Sequence, residues 1–235
     1  MNSMSIPLFG FTVSYVMAAV DFIPVILFMI AMGYVIRMAH GRISTKLFAV
    51  LSGGVFVSFL GGLAKCTWKL IYAHGIDFVP LNTAFVIYQT TGFLLIAVGV
   101  IALLAADVKG TKAQAASVRL SATLLPLVFL ATVVVMEKPG FLWFIAMALF
   151  TCVYLILLSV IAFRHKKIGT GLLFYASMLF MFGMVGLRSK FDEGGAWEQM
   201  NWIAQVCNSV TQLLLLIPCF TLSKVLGPAC PNNPR

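Results

Sequence analysis

The sequence predicts an all-α polytopic membrane protein, with seven transmembrane helices forming a single transmembrane domain over residues 1–235. Of its 235 residues, 61% are hydrophobic and only 10% are charged, whereas soluble domains carry about 25% charged residues. The apolar residues fall into seven stretches, each close to the roughly 20 residues that a helix needs to cross a bilayer. In order they are Val13–Ile36, Leu47–Tyr72, Leu81–Ala106, Leu120–Met136, Phe141–Phe163, Leu172–Leu187 and Met200–Leu222. The lipid bilayer of the cell membrane is therefore the predicted location.

Basic residues in the short links predict the orientation. Eleven of the sixteen Lys and Arg residues lie on one side of the predicted bundle, and cytoplasmic links carry the excess of positive charge. The eleven are Arg37, Arg42, Lys46, Lys109, Lys112, Arg119, Arg164, Lys166, Lys167, Lys224 and Arg235. The N-terminus is thus predicted outside and the C-terminus inside, with residues 223–235 as a cytoplasmic tail. The net charge of +9 then reflects topology and does not indicate a nucleic-acid partner.

The first span carries a carboxylate and a proline inside the membrane. Asp21 is the one acidic residue well within a predicted span, and intramembrane ionisable groups are costly unless they have a partner. The predicted partner is Lys65, with Lys69 second, and a purely structural ion pair is the alternative. Pro24 removes a backbone hydrogen bond and is a candidate hinge.

The second span places small and basic residues on one face. Gly54, Ser58 and Gly62 follow a small-xxx-small pattern, which allows two helix backbones to approach closely. Lys65 continues this inward face and is expected to reach a cavity. Lys69 lies one turn nearer the outer end, where reaching out to the membrane surface is the alternative.

The seventh span carries the clearest polar pattern. Asn201, Gln205, Asn208 and Gln212 recur at i, i+4, i+7 and i+11, so they form one stripe on a helix. Glu198 extends the stripe outward. Unpaired amides are costly in hydrocarbon, so the stripe should face either neighbouring helices, as hydrogen-bonding glue, or a lined cavity that stops near mid-membrane.

The third and sixth spans add three further candidates for ligand binding. Asn82 and Gln89 share a face of the third span at i, i+7, and Arg188 lies at the outer edge of the sixth. The link over residues 191–199 is either a lid over the cavity or a solvated loop.

An internal repeat relates the first three spans to the last three. The segment that begins at His40 leads into the second span, and a similar segment that begins at His165 leads into the sixth. In addition, Asn82 and Gln89 are seven residues apart, as are Asn201 and Asn208. The sequence therefore predicts two parallel three-helix repeats, over residues 13–106 and 141–222, joined by a linker helix over residues 120–136.

This arrangement of three, one and three spans resembles the SWEET sugar transporters and their PQ-loop relatives and, more distantly, the microbial opsins. In SWEET proteins an asparagine from the third helix and one from the seventh hold the substrate. The resemblance implies that role for Asn82 and Asn201, or for the deeper pair Gln89 and Asn208.

Three functions remain open at this stage. The first is a transporter of a small polar or zwitterionic solute. The second is a cofactor-free, receptor-like sensor that signals through a partner, and the third is a lipid-modifying enzyme that uses Asp21 or Glu198 as a general acid or base. No catalytic residue, metal site or cofactor is assigned, because the three histidines do not lie at metal-ligand spacing and the last span lacks the lysine of a retinal protein. A homo-oligomer and a partner protein both stay open.

Overall fold

The computed structural model describes residues 14–135, 141–188 and 197–227, with side chains over 14–108, 146–183 and 201–227. These residues form seven helices and, within those ranges, no strand. The helices are α1 (Tyr15–Val20), α2 (Phe22–Ala39), α3 (Thr45–Ala73), α4 (Val79–Val135), α5 (Phe141–Arg164), α6 (Ile168–Arg188) and α7 (Trp197–Leu226). The all-helical class is therefore confirmed for the described part of the chain.

Five helical segments in the described part are long and apolar enough to cross a bilayer. They are Tyr15–Ala39, Thr45–Ala73, Val79–Val108, Ala146–Arg164 and Asn201–Leu226, and Ile168–Gly183 is a shorter apolar helix. Each of the five exceeds or approaches the roughly 20 residues of a transmembrane helix. The protein is thus a helical membrane protein.

The first predicted span consists of two helices, α1 and α2, which are separated at Asp21. The cause is Pro24, which has no backbone N–H to donate to the carbonyl of Val20 four residues earlier. Cys66 of α3 donates its Sγ–H to the carbonyl oxygen of Asp21 at 3.3 Å. The interruption therefore falls beside the intramembrane carboxylate.

The third and fourth predicted spans are joined in one helix, which corrects the predicted break between residues 106 and 120. Helix α4 runs without interruption for 57 residues. Most of residues 111–120 are good helix formers, so helical structure continues where a loop was expected. A straight helix of this length would measure about 85 Å, far more than the roughly 30 Å hydrocarbon core of a bilayer.

Neighbouring helices pack in sequence order, and α7 packs against α2 to close a ring. The rings of Phe93 in α4 and Tyr154 in α5 lie 6.1 Å apart, and Asp107 contacts Arg164. The first part of α4 and helix α5 therefore run in the same direction. We call α1–α3 with α4 as far as Val108 the first unit, and α5–α7 the second unit.

The two ends of this bundle differ in charge. One end, which we call the basic end, is where α2, α5 and α7 finish and α3 and α6 begin. It carries Arg37, Arg42, Lys46, Arg164, Lys166, Lys167 and Lys224. The opposite end carries the Trp68 to Asp77 hydrogen bond of 2.9 Å and the edge-on contact between Tyr15 and His74.

Small residues allow α3 and α4 to pack backbone to backbone. A Cβ on Gly92 would lie 2.1 Å from Ser58 Oγ and 2.6 Å from Ser58 N, and one on Gly54 would lie 2.9 Å from the Gly92 carbonyl oxygen. A Cβ on Gly61 would lie 2.9 Å from the backbone nitrogen of Gln89. This contact fixes the register between the second and third predicted spans.

Among the described side chains, apolar residues from α2 to α7 fill the half of the bundle toward the basic end. Its fully buried large residues include Met32, Val35, Met38, Leu51, Ile96, Leu103, Leu158, Ile161, Phe174 and Leu222. In the described residues these side chains form one contiguous apolar core.

Candidate functional site

A cavity of about 190 Å³ lies between the two units, above the apolar core and toward the opposite end. Helices α2 to α7 all contribute to its wall. Its lining comprises Asp21, Pro24, Val25, Phe28, Ser58, Gly62, Lys65, Cys66, Phe85, Gln89, Phe93, Met147, Ala148, Thr151, Tyr154, Leu155, Ser177, Met181, Asn208, Thr211, Gln212 and Leu215. The volume would hold on the order of a dozen water molecules.

The structure brings five of the sequence-predicted binding residues together at this cavity. Asp21, Lys65, Gln89, Asn208 and Gln212 all line it, and they come from both units. Three of them are amides, which can both donate and accept hydrogen bonds. The cavity wall is therefore suited to a ligand with polar groups.

The ion pair of Asp21 corrects the predicted order of its partners. Lys69 Nζ lies 2.5 Å from Asp21 Oδ2, and both side chains are buried, at 7% and 5% exposure. Lys69 thus does not extend to the membrane surface, and it is the residue that neutralises Asp21. A carboxylate held in this way is better suited to a structural role than to proton transfer, which weakens the enzyme hypothesis.

Lys65 lies one turn deeper and lines the cavity itself. Its Nζ stands 5.0 Å from the centre of the Phe85 ring, a geometry in which the ring face attracts a cation. Lys69, predicted as the second choice, is thus the residue that pairs with Asp21. Lys65, predicted as the first choice, lies at the cavity wall.

The deep part of the cavity is aromatic, which the sequence did not indicate. The rings of Phe28 and Phe93 lie 5.8 Å apart, and Phe93 in turn contacts Tyr154. Leu155 and Leu215 complete this apolar floor. Aromatic residues in an apolar span resemble ordinary core or lipid-facing residues, so their position could not be read from the pattern.

Helices α5 and α6 contribute residues that were also missed. Thr151, Ser177 and Thr211 line the cavity, but each hydroxyl donates to a backbone carbonyl: Thr151 to Met147, Ser177 to Thr211, and Thr211 to Cys207. Such bonds are common for Ser and Thr in apolar helices, so these residues carry no distinctive signal in the sequence.

Apart from Asp21 Oδ2, which pairs with Lys69, two buried oxygens at the cavity have no hydrogen-bond partner among the described residues. These atoms are Ser58 Oγ and Gln212 Oε1, and both side chains line the cavity. A buried polar atom without a partner costs roughly 1–3 kcal/mol. A bound ligand or water would remove that cost.

The remaining stripe residues of α7 lie near the cavity but do not line it. Gln205 is buried, at 4% exposure, and Asn201 donates its Nδ2–H to Met17 Sδ at 2.7 Å. The stripe therefore faces protein along its length. Asn82 is exposed and lies away from the cavity, so its predicted pairing with Asn201 across a site is not what the structure shows.

Two predicted binding residues fall outside the described side chains. Arg188 ends α6 and Glu198 lies in the first turn of α7. The same holds for the predicted lid, because residues 189–196 lie outside the described ranges.

Polar contacts at the basic end join the two units below the apolar core. Asp107 of the first unit accepts a hydrogen bond from Arg164 Nε at 3.0 Å and lies 2.8 Å from His165 Nε2. Arg42 of the first unit donates to the carbonyl oxygen of Leu226. We call these two contacts the basic-end latches.

The chain matches no protein-family model, no curated protein and no solved structure. The resemblance to SWEET and PQ-loop transporters therefore stays a prediction.

Proposed function

We propose that the protein is a carrier that moves a small solute across the cell membrane and binds it in this cavity. One observation carries the proposal: both units line the cavity, and the basic-end latches join the same two units. In carriers built from repeats, the site lies at the interface between the repeats, which rock to expose it to either side. Separation of the two units at the basic-end latches would open the cavity toward the basic end, the side on which the apolar core now closes it.

Seven crossings are part of the proposal. The first part of α4 and helix α5 run in the same direction, so the chain must return across the bilayer between them. Five residues, 136–140, span at most about 20 Å. This is too short to return the chain from the far end of a straight α4 to the start of α5. We therefore infer that α4 bends, and that residues 109–135 supply the fourth crossing, for which about 40 Å of helix is enough.

The proposed orientation places the basic end in the cytoplasm. The lysines and arginines at that end favour it, because positive residues are retained on the cytoplasmic side. The cavity then lies in the outer half of the membrane, and the apolar core forms the closed inner half.

The proposed internal repeat gains support from two cavity residues. Gln89 and Asn208, which the repeat makes equivalent, both line the cavity, one from each unit. This is the placement expected for a two-repeat carrier with a shared site, whether or not the chain is related to SWEET proteins.

A receptor-like sensor is the second candidate. The packed inner half favours it, because a binding site that is closed below needs no route through the membrane. A sensor would bind its ligand from outside and never expose the inner half of the bundle to the cytoplasm.

Cysteine labelling from each side of the membrane separates the two functions without knowledge of the solute. In a variant with all five native cysteines replaced by alanine, single cysteines are introduced at Ala148, which lines the cavity, and at Val100, which is fully buried in the core. A carrier should react with a membrane-impermeant maleimide at position 148 from outside and at position 100 from the cytoplasm.

A cysteine at Lys46 serves as the control for sidedness, since this residue is exposed at the basic end. Position 46 should react with the maleimide from the cytoplasm whether the protein is a carrier or a sensor. Protection of position 100 from both sides, with position 46 fully labelled, would rule out the carrier and favour the sensor.

A further inference from the structure

Uncharged amides form a polar layer above the aromatic floor of the cavity. On α4, Gln89 precedes Phe93 by four residues, and on α7, Gln212 precedes Leu215 by three. Each amide therefore lies about one helical turn, or roughly 5 Å, from the floor toward the opposite end. Asn208 lies one further turn along α7. Both units supply this amide layer, and each amide can donate and accept hydrogen bonds.

One acceptor in the amide layer is buried without a partner. Gln212 Oε1 accepts no hydrogen bond among the described residues, although its side chain lines the cavity. Ser58 Oγ also has no partner there, but it lies against Gly92 in the contact between α3 and α4 and is less accessible to a ligand. A ligand with an N–H or O–H group can supply the donor that Gln212 lacks.

The charged groups of the wall already have contacts of their own. Asp21 Oδ2 lies 2.5 Å from Lys69 Nζ, and Lys65 Nζ lies over the Phe85 ring. A ligand with a net charge would have to displace one of these contacts or remain unpaired among apolar side chains, and either is costly. An uncharged ligand avoids both costs.

We infer that the cavity binds a small uncharged molecule with a flat, ring-sized apolar body and at least one N–H or O–H group. The donor bonds to Gln212 Oε1, and the ring packs against Phe28, Phe93 and Tyr154, whose rings already contact one another. The volume of about 190 Å³ suits a ligand of on the order of ten non-hydrogen atoms. This inference rests on the proposed function only in taking the cavity as the substrate site.

Indole and benzofuran test the donor, because the two have the same shape and benzofuran has a ring oxygen in place of the N–H group. Dissociation constants are measured by isothermal titration calorimetry with the full-length protein in phosphatidylcholine nanodiscs. The heat of partition into empty nanodiscs is subtracted. Indole should bind roughly tenfold more tightly than benzofuran, because benzofuran leaves Gln212 Oε1 without a donor.

Substitution of Gln212 tests the origin of this preference. Gln212→Met retains the length of the side chain and removes the acceptor, so indole should bind only as tightly as benzofuran. The matched control is Gln205→Met, the same change on the same helix at a buried position that does not line the cavity, and it should retain the tenfold ratio. The ratio in the unsubstituted protein keeps the inference testable if the Gln212 variant folds poorly.

Four probes that share a phenyl ring test the charge: phenethyl alcohol, phenylacetate, phenethylamine and phenylalanine. Phenethyl alcohol should bind several-fold more tightly than the other three, because it alone has a donor without a charge. Phe93→Leu should weaken phenethyl alcohol several-fold, because the ring contact with the floor is lost. Phe56→Leu is the control, since Phe56 is exposed on the outer surface of the bundle and its loss should leave the affinity unchanged.

Tighter binding of phenylacetate, phenethylamine or phenylalanine than of phenethyl alcohol would overturn the inference in favour of a charged ligand. Equal affinity for indole and benzofuran would also overturn it, because the buried oxygen would then need no donor from the ligand. Binding of neither would have the same consequence. These outcomes leave the labelling test of the carrier untouched. Conversely, selective indole binding with position 100 protected from both sides would retain the ligand class and remove transport.

Discussion

At the scale of single residues, the buried ion pair between Asp21 and Lys69 governs the stability of the cavity wall. Both side chains are removed from lipid and water, so each charge depends on the other. Loss of one partner of a buried pair costs about 3–5 kcal/mol, because the remaining charge has no counterpart. This makes Asp21 a structural residue first.

Asp21→Asn should therefore destabilise the protein by roughly 3 kcal/mol or more, measured by thermal or denaturant unfolding in detergent. Lys69→Met should have a similar effect. The double variant should recover most of the loss, since no unpaired charge stays buried. If the two losses simply added in the double variant, the pair would contribute no coupling and the ion pair would be structurally unimportant.

The sequence could indicate that Asp21 needs a lysine but not which one. Lys65 and Lys69 are one turn apart on the same face of α3, so helical periodicity treats them alike. The choice depends on how far α3 is shifted along α2, and tertiary packing sets this shift. The aromatic floor escaped prediction for a similar reason, because only packing distinguishes Phe93 from a lipid-facing phenylalanine.

At the scale of elements, the close contact between α3 and α4 positions much of the wall. Ser58 and Lys65 of α3 and Gln89 of α4 reach the cavity from two backbones held together by glycine contacts. The small-xxx-small pattern predicted that α3 has such a face, and the polar periodicity of α7 predicted that its stripe faces protein. Neither pattern specified which helix would be the neighbour.

Gly92→Ala should separate α3 from α4 and destabilise the fold by about 1–3 kcal/mol or more, since its Cβ would meet both the side chain and the backbone of Ser58. Gly53→Ala provides the control, because a Cβ at that site meets nothing within 4 Å. Unfolding in detergent compares the two. Equal stability of both variants would mean that the backbones of α3 and α4 can separate at Gly92 without cost to the fold.

Pro24 is the other feature at this scale, because it interrupts the first helix beside the cavity. Pro24→Ala should restore the backbone hydrogen bond to Val20 and join α1 to α2. If the interruption acts as a hinge, labelling of position 100 from the cytoplasm should become several-fold slower. Pro80→Ala, in the first turn of α4, where proline is well tolerated, should leave the rate unchanged.

At the scale of the whole molecule, the two units meet in three layers: the cavity, the apolar core and the basic-end latches. Asp107→Asn should weaken one latch and increase the rate of cytoplasmic labelling at position 100, because less interaction opposes separation of the units. Asp77→Asn removes a carboxylate at the opposite end and should not raise that rate. A rate that stays constant in both variants would show that the latches do not hold the inner half closed.

Composition and hydropathy were sufficient for the membrane class at this scale, since both depend on the solvent around the protein. The bounds of the individual helices were less accessible. The join between the third and fourth predicted spans was missed because hydropathy identifies the segments that lie in lipid and does not identify the ends of helices. Most of residues 111–120 are helix formers, so the helix continues through this polar segment.

The apolar core also determines where the membrane potential acts. Because most of the buried side chains described in the half of the bundle toward the basic end are apolar, much of the electric field would fall across that half, and each elementary charge moved across the membrane costs or releases about 2.3 kcal/mol per 100 mV. In the proposed carrier, the membrane potential would therefore drive or oppose the passage of a charged solute through this half and leave an uncharged solute nearly unaffected.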